Sequence, residues 1–393
     1  MKYYTADYII PISSEPIKDG VVALDDEGVI KAVGVKSDYL SADLQYHKGI
    51  ICPGFINTHC HLELSHMKGV CPTGTQLIQF ITNVIQLREY ESDVILQSIK
   101  DEDERMWQAG VQAVGDISNK LDTAAQKETS PISYYTFVEM FDMMQPAMTV
   151  GTIEKYRAIF KDQARGNGNK KSFVPHAPYS VTPELFDFIN KANPENATVS
   201  LHNTETVDEN LMFQDGSGGF KAFFESLGMS LDHFKPTGLN SIDYALKNMV
   251  PKRRNIFVHN TLTSALDIYE AHHWSDDVYW ATCPNANMYI ENRLPNYKLF
   301  LDAKAKMTIG TDSIMSNWQL DIWEEIKTIK KYQSYVPLTS LLEWGTINGA
   351  QALGYAKRMG SIEVGKQAGL VHVDLEWRGD ETDIVGSKAK RVA

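Results

Sequence analysis

Apolar positions along the chain follow two different patterns, and the change comes near residue 50. Before it, short alternating runs lie at Tyr3–Ile10, Gly20–Asp25 and Val29–Gly34, with glycine-containing turn signals between them, as is typical of β-strands. After it, continuous apolar runs alternate with stretches in which apolar residues recur at helical spacing. The sequence therefore predicts a small β unit followed by an α/β region with a parallel sheet.

Eight strands are predicted in the second region. They lie at residues 51–58, 111–117, 132–140, 172–178, 198–203, 255–260, 278–283 and 306–312. Helices are predicted between them at Gln76–Glu89, Glu102–Ala109, Ile153–Arg165, Pro183–Ala192, Ser241–Asn248, Ser264–His272, Asn296–Ala303 and Asp321–Tyr332. Eight strand–helix units favour a (β/α)₈ barrel of the TIM type. The alternative is an open doubly wound sheet, but its Gly-x-Gly-x-x-Gly turn is missing after the first strand.

The strand pattern returns after Gly354, with a turn at Gly360–Gly365 and an apolar run that starts at Gly369. We expect this segment to join the first fifty residues in one small domain. The predicted division is a composite β-sandwich domain from residues 1–52 and 355–393, and a (β/α)₈ barrel from residues 53–354.

The connection at residues 204–240 is long for a strand-to-helix loop. Its glycines at 216–219 precede the aromatic residues Phe220, Phe223 and Phe224. One interpretation is a lid over the mouth of the barrel. The other, equally open, is a surface insertion that packs on itself.

Charge and composition narrow the class of protein. The 393 residues carry a net charge of −12, which disfavours nucleic acid as the main partner because like charges repel. No uninterrupted apolar run is long enough to cross a bilayer, so no membrane partner is expected. The four cysteines form no Cys-x-x-Cys pair and are typical of reduced thiols. The prediction is a cytoplasmic protein that acts on a small molecule.

Two histidines close the first apolar strand of the barrel. His59 and His61 are two residues apart, so on a strand their side chains point the same way. A lone histidine is usually structural, but a His-x-His pair at the end of a buried strand favours a shared metal ion. Polar residues end other predicted strands as well: His176 the fourth, His202 the fifth, His259 the sixth and Asp312 the eighth. Functional groups gather at this end of such barrels, and buried polar groups are costly unless they have partners.

We expect one divalent metal ion per chain, with His59, His61, His202 and Asp312 as its ligands. Imidazole and carboxylate ligands suit Zn²⁺ first, with Fe²⁺ and Mn²⁺ as competitors. Such an ion lowers the pKa of a bound water from about 15.7 toward 7. The set therefore predicts hydrolysis.

Proton transfer requires a further group near the water. Glu205 lies three residues after His202, where it can take the proton of the water and pass it to the substrate. His259 would orient the water, and Asp312 would hold it through its second oxygen. The alternatives are that Glu205 only starts the next helix, where a carboxylate is favoured, and that His259 is structural.

The chain resembles the amidohydrolase superfamily in these motifs: Pro53-Gly-Phe-Ile-Asn-Thr-His-Cys-His61, His202-x-x-Glu205, His259, Thr311-Asp312-Ser313 and Gly360-Ser-Ile-Glu-Val-Gly-Lys366. The resemblance covers nearly the whole chain and implies a (β/α)₈ barrel with a composite β-sandwich. One departure is Gly369, where the family usually has Asp. Binuclear members carry a bridging lysine after the fourth strand, whereas this chain has His176-Ala-Pro-Tyr-Ser180. It therefore resembles the mononuclear aminohydrolases, which deaminate guanine, adenosine, S-adenosylhomocysteine or aminodeoxyfutalosine.

The aminodeoxyfutalosine deaminases of menaquinone biosynthesis are similar in their local motifs. The matching residues are His61-Leu-Glu-Leu-Ser65, Gln86-Leu-Arg88, Cys283-Pro-Asn-Ala-Asn287 and Arg293-Leu-Pro295. In such members the position of His176 contacts the substrate, often its ribose. The substrate also carries a carboxylate, for which Arg88 and Arg293 are candidate partners. Glu63 is a candidate acceptor for sugar hydroxyls.

Walls for a flat ring are predicted from Phe220, Phe223, Trp318 and Tyr179, each of which has core packing as its alternative. The runner-up activities are deamination of S-adenosylhomocysteine, methylthioadenosine or guanine, and hydrolysis of a cyclic amide such as an imidazolone. A binding or scaffold protein on the same fold would have lost metal ligands, and this chain keeps the set. A homodimer is compatible with the sequence.

Overall fold

The computed structural model describes residues 1–393. Its strands are β1 (Lys2–Ile9), β2 (Ile17–Lys18), β3 (Gly20–Leu24), β4 (Ile30–Val35), β5 (Leu44–Pro53), β6 (Phe55–Cys60), β7 (Val111–Ser118), β8 (Ser133–Met140), β9 (Lys170–Pro175), β10 (Thr198–Asn203), β11 (Arg254–His259), β12 (Val278–Thr282), β13 (Met307–Ile309), β14 (Leu370–Val373) and β15 (Ala389–Arg391). Its α-helices are α1 (Leu77–Leu87), α2 (Ser92–Gln108), α3 (Ala124–Thr129), α4 (Thr149–Asp162), α5 (Pro183–Ala192), α6 (Val207–Gln214), α7 (Phe220–Ser226), α8 (Ser241–Asn248), α9 (Ala265–Trp274), α10 (Pro284–Glu291), α11 (Tyr297–Asp302), α12 (Ile322–Tyr332), α13 (Leu338–Glu343) and α14 (Gly349–Ala352).

One seven-stranded sheet combines the two ends of the chain. Its order is β15-β14-β5-β1-β3-β4, with β2 paired to β1. Apolar residues from both ends, among them Val22, Ile51 and Leu370, form its small core. The expected pairing between the termini is therefore present. The two-layer sandwich is not confirmed, because these strands belong to a single sheet, and the division into two domains stays a prediction.

Two parallel four-stranded sheets follow, in the orders β6-β7-β8-β9 and β10-β11-β12-β13. The predicted strand at 51–58 is in fact two strands: Pro53 ends β5 in the terminal sheet and Phe55 begins β6 in the first parallel sheet. Gly54 is the junction, and its amide donates to the carbonyl of Ala368. A Cβ at this position would lie 2.7 Å from that carbonyl oxygen, so the close approach requires glycine.

The two parallel sheets touch at both of their seams. Cys60 and Asp312 form an isolated parallel bridge, and the amides of Thr311 and Asp312 donate to the carbonyl of His59 over 2.9 and 3.0 Å. At the other seam the amide of His202 donates to the carbonyl of His176 over 2.9 Å. A continuous ladder is not formed at either seam. The structure thus shows a mixed α/β fold with parallel sheets, and the closed barrel stays a prediction.

The insertion at residues 204–240 contains α6 and α7, which the sequence analysis missed. Phe220, Phe223 and Phe224 are buried, and the ring of Phe220 stacks on Tyr179 with centroids 4.2 Å apart. Phe220 thus packs against the turn that follows β9, while closure of the insertion as a lid stays untested. None of the helices combines the length and the apolar character that crossing a bilayer requires.

Candidate metal centre and active site

His59 and His61 bring two ring nitrogens together at the end of β6. Their Nε2 atoms are 3.2 Å apart, and Oδ1 of Asp312 lies 3.5 Å from the first and 3.2 Å from the second. Atoms that bind a tetrahedral ion at 2.0–2.1 Å are about 3.3 Å from one another. The three side chains therefore already have the spacing of ligands that share one ion.

His202 completes the group from the end of β10. One ring nitrogen from each of His59, His61 and His202 lies within 4.8 Å of the other two. Nδ1 of His202 donates to the carbonyl of His176 over 2.8 Å. This bond fixes the tautomer and leaves Nε2 as a lone-pair donor, as in histidine ligands whose second nitrogen is held by the protein.

Burial sets the protonation of these groups. It lowers the pKa of His59, His61 and His202, so the rings are neutral and able to bind a cation. Burial alone would raise the pKa of Asp312, but the hydrogen bond from His59 and the charge that His61 and His259 carry in their protonated form outweigh it and hold that pKa well below its usual range. A neutral imidazole trio with an ionised carboxylate fits a divalent ion of the zinc type.

The backbone at the strand ends is strained where these groups are presented. Asp312 has a φ of 58°, His259 of 71° and Thr204 of 44°, in a region that residues other than glycine rarely adopt. The hydroxyl of Ser316 donates to Oδ2 of Asp312 over 2.6 Å. Strain of this kind gathers at functional sites, where surrounding contacts hold it in place.

Glu205 and His259 lie beside the candidate ligands. Oε2 of Glu205 is 3.7 Å from Nε2 of His259, whose Nδ1 donates to Oδ1 of Asn287 over 2.9 Å. Burial, reinforced by the charge of Asp312, raises the pKa of Glu205 well above its usual range. Both side chains are buried and line the central cavity.

The loop that carries Glu205 is fixed by a second carboxylate. Glu209 accepts the backbone amides of Thr204 and Glu205 over 3.0 and 3.1 Å. It thereby holds the turn between β10 and α6 and aims Glu205 into the cavity.

The central cavity joins these polar groups to an apolar wall. Its lining includes Leu77, Phe80, Ile81, Val84 and Ile85 of α1, with Phe223 and Phe224 of α7. Such a slot suits a flat ring with an extended substituent.

The structure brings some of the predicted substrate-binding residues to the cavity. His176, Tyr179, Glu63 and Arg88 line it, and Nη2 of Arg88 lies 3.3 Å from Oε1 of Glu63. The other oxygen of Glu63 accepts the amides of Asn119 and Lys120 over 2.8 and 3.1 Å. Both oxygens of Glu63 are therefore occupied by the protein.

Three predicted residues lie elsewhere. Arg293 is exposed and borders a separate surface depression, so the structure does not bring it to the cavity. Trp318 is half exposed and packs against Tyr289 outside the cavity, and Phe220 lies behind Tyr179. Arg293 and Trp318 lie in loops, where the direction of a side chain cannot be read from strand and helix spacing.

Glu139 is the cavity residue that sequence reasoning missed. It lies near the end of β8 and is 2% exposed, and burial raises its pKa to about 8. Nδ2 of Asn119 donates to Oε2 of Glu139 over 3.3 Å. One feature of the sequence could have identified it: Glu139 is a carboxylate near the end of the predicted strand 132–140, as the other candidate residues are at the ends of theirs.

Comparison with known proteins places the chain in a family. The model of the Amidohydrolase family matches residues 50–392. The chain is 26% identical over 368 residues to an adenosine deaminase of Helicobacter pylori, covering 88% of this chain and 87% of that protein. The crystal structure of Helicobacter pylori aminofutalosine deaminase in complex with methylthio-coformycin has a TM-score of 0.82 at 21% identity, with both chains fully covered (100%).

A second solved structure of similar fold contains a bound metal ion. An adenosine deaminase from Xanthomonas campestris with bound zinc has a TM-score of 0.71 at 22% identity, covering 95% of this chain and 84% of that one. At these identities the two structures establish the likeness of fold, while the family model spans most of the sequence. The chain belongs to the amidohydrolase family of metal-dependent hydrolases.

Proposed function

We propose that this protein is a hydrolytic deaminase of an adenosine-like nucleoside, with 6-amino-6-deoxyfutalosine of menaquinone biosynthesis as its substrate. The reaction replaces the amino group of the six-membered ring by oxygen from water and releases ammonia. The observation that carries the proposal is the convergence of His59, His61 and Asp312 within 3.5 Å, with the Glu205 carboxylate beside them. As an amidohydrolase with deaminase relatives, the chain is a hydrolase acting on C–N bonds.

One divalent ion, Zn²⁺ in our proposal, would be held by His59, His61, His202 and Asp312. When bound, it supplies a water molecule of lowered pKa at neutral pH. The zinc-bound adenosine deaminase of similar fold supports this choice. The neutral rings and the ionised carboxylate of this chain are the ligand types that zinc takes.

Glu205 acts as the proton carrier in this scheme. Its carboxylate takes one proton from the attacking water and delivers it to the ring nitrogen of the substrate. It then takes the second proton, from the hydroxyl that the water has become on the ring carbon, and passes it to the departing amine. Nε2 of His259 faces the same point, because Asn287 holds Nδ1 as the donor, and it orients the water by accepting a hydrogen bond.

Arg88 gives the substrate assignment its physical basis. It is the sole cationic side chain among the cavity residues, and only one of its five N–H groups meets Glu63. The rest of the guanidinium is available to a carboxylate such as the one on aminodeoxyfutalosine. The similar fold of an aminofutalosine deaminase is consistent with this substrate.

A second candidate is a neutral thioether nucleoside such as methylthioadenosine. The Arg88–Glu63 pair favours it, because Glu63 offsets the charge of Arg88 beside a largely apolar wall. The test is ammonia release by the purified, zinc-loaded protein from aminodeoxyfutalosine, methylthioadenosine, S-adenosylhomocysteine, adenosine, guanine and an imidazolone. Fastest turnover of aminodeoxyfutalosine supports the first assignment. Activity confined to the imidazolone would overturn nucleoside deamination.

We also propose that residues 53–354 form one closed (β/α)₈ barrel, flanked by a domain from residues 1–52 and 355–393. The backbone hydrogen bonds at both seams support the closure, since they continue the parallel strand order. Hydrogen exchange should then protect β6 and β13 to the same degree as the strands inside each sheet.

A further inference from the structure

Glu139 has an unpartnered acceptor and is one of the residues that line the cavity. Its Oε1 atom is inaccessible to solvent and has no hydrogen-bond partner, while Oε2 accepts from Asn119. A buried polar atom without a partner is costly, and most such atoms in proteins are satisfied. Because Glu139 also lines the cavity, the missing donor is expected from whatever the cavity binds.

The neighbours of Glu139 do not supply that donor. Nδ1 of His202 is 3.4 Å from Oε1, but its proton is already donated to the carbonyl of His176 over 2.8 Å. Nδ1 of His176 is in turn bonded to the hydroxyl of Ser180 over 2.8 Å. The free ring nitrogen of His176 and Oε1 of Glu139 are therefore two polar groups that remain open to a ligand.

A second metal ion is a poorer explanation of the same cluster. Glu139, His176 and His202 each have a potential ligand atom within 4.8 Å of the others. The nitrogen of His202 on this side is committed to a backbone carbonyl, which leaves two ligands. Two protein ligands fall short of the three or four that zinc takes in proteins.

The position of Glu139 indicates which part of the substrate it meets. Oε1 of Glu139 lies beside Nδ1 of His202, whereas Oε2 of Glu205 lies beside a different ring, 3.7 Å from Nε2 of His259. The amino group that leaves belongs beside Glu205. The donors that remain on a nucleoside are the hydroxyls of its sugar.

We propose that Glu139 accepts a hydrogen bond from a ribose hydroxyl of the bound nucleoside and thereby selects ribosides over deoxyribosides. This inference rests on the proposed function, because it assumes a nucleoside in the cavity. It also assigns to Glu139 the sugar contact that the sequence suggested for Glu63. Both oxygens of Glu63 already have protein partners, Arg88 on one and two backbone amides on the other, whereas Oε1 of Glu139 has none.

Binding of reaction products tests the proposal without requiring turnover. The dissociation constants of inosine, 2′-deoxyinosine and 3′-deoxyinosine are measured by calorimetry for the zinc-loaded wild type. Loss of a hydrogen bond to a charged or buried acceptor weakens binding by roughly 10- to 100-fold. We expect one of the two deoxynucleosides to bind at least about tenfold more weakly than inosine. Equal binding of all three would overturn the inference without any variant.

Variants then identify the residue that is responsible for the preference for ribosides. Glu139→Met should bring the three dissociation constants within about threefold of one another, because the acceptor is gone, while the zinc content stays at one per chain. Glu139→Gln keeps a carbonyl oxygen and should retain the preference, which also covers the case in which Glu139→Met does not fold. Glu63→Gln is the matched control and should weaken all three ligands equally.

The outcomes separate this inference from the proposed function. A riboside preference that survives in Glu139→Met, or one that disappears in Glu63→Gln instead, would overturn the role of Glu139. A wild type that shows the preference in binding but releases no ammonia from any nucleoside would refute deamination and leave the sugar contact standing.

Discussion

Oδ1 of Asp312 lies 3.2 Å from Nε2 of His61, and Oδ2 of the same carboxylate accepts the hydroxyl of Ser316 over 2.6 Å. One oxygen thus faces the candidate metal position while the other is held by the protein. Because residues that orient a ligand typically change metal affinity or activity 10- to 100-fold, Ser316→Ala should weaken zinc binding about tenfold. Competition with a chelating dye measures this. Ser172→Ala is the control, since that buried serine bonds the carbonyl of Thr198 away from the site. Equal zinc affinity in the two variants would contradict the orienting role.

Glu205→Gln should keep the zinc and lose the reaction. The amide preserves the shape of the side chain but cannot carry a proton, and general acid–base catalysis contributes about 10²- to 10⁴-fold. We expect kcat for ammonia release to fall by at least about 10²-fold, with metal content unchanged by atomic absorption. Glu225→Gln, at an exposed position of α7, should behave as the wild type. A Glu205→Gln enzyme with near-normal kcat would remove this residue from the proton path.

Arg88→Met should reduce activity toward a carboxylate-bearing substrate more than activity toward a neutral one. If Arg88 holds a carboxylate, kcat/KM for aminodeoxyfutalosine should fall about 10- to 100-fold while adenosine changes much less. Steady-state kinetics on both substrates measures the ratio. Arg293→Met is the comparison, because Arg293 is exposed outside the cavity, and it should leave both substrates unaffected. An equal loss for the two substrates in Arg88→Met would contradict the carboxylate contact.

Removal of the metal should lower thermal stability. A ligand that binds only the folded state at 100 times its dissociation constant stabilises that state by about 2.7 kcal/mol. Chelator-treated protein should therefore unfold several degrees lower in a thermal scan, and one equivalent of Zn²⁺ should restore the transition. His61→Ala should unfold at the same temperature with or without chelator. A wild type that is insensitive to chelation would argue against a bound ion.

Lys127 forms a buried ion pair with Asp116 beneath the candidate site. Its Nζ lies 2.5 Å from Oδ2 of Asp116, both side chains are fully buried, and Oδ1 of Asp116 accepts the amide of Leu62 next to His61. Removal of one partner of such a pair costs about 3–5 kcal/mol because the other charge is left uncompensated. Lys127→Met should lower the free energy of unfolding in urea by that amount. Adding Asp116→Asn should recover part of it, and a single variant as stable as the wild type would contradict the argument.

Sequence reasoning reached the candidate centre because alternation along strands is a local rule. His59 and His61 are two residues apart, and His202, His259 and Asp312 each end a predicted apolar strand, so their convergence required only parallel strands. Glu139 obeys the same rule, but it is the only charged residue of β8 and has no histidine beside it to mark it. Its importance comes from an unpartnered oxygen, which only the three-dimensional contacts reveal.

The structural features that could not be predicted from the sequence depend on contacts between distant segments. The run at 51–58 is evenly apolar, so the transfer of the chain from one sheet to another at Gly54 leaves no break in hydrophobicity. Likewise, Arg88 and Arg293 both follow helical segments, and their different surroundings are decided by how those segments pack.

The place of β5 has a consequence for the order in which the protein can be assembled. This strand lies between β1 and β14, and it leads through Gly54 directly into the strand that carries His59. One of its two neighbours, β14, is therefore synthesised more than three hundred residues later. Until then an unpaired edge stays open at the root of the first histidine strand, as in other long-range β pairings that complete slowly. Synthesis of β14, rather than synthesis of the histidines themselves, is therefore the step that closes this edge of the sheet.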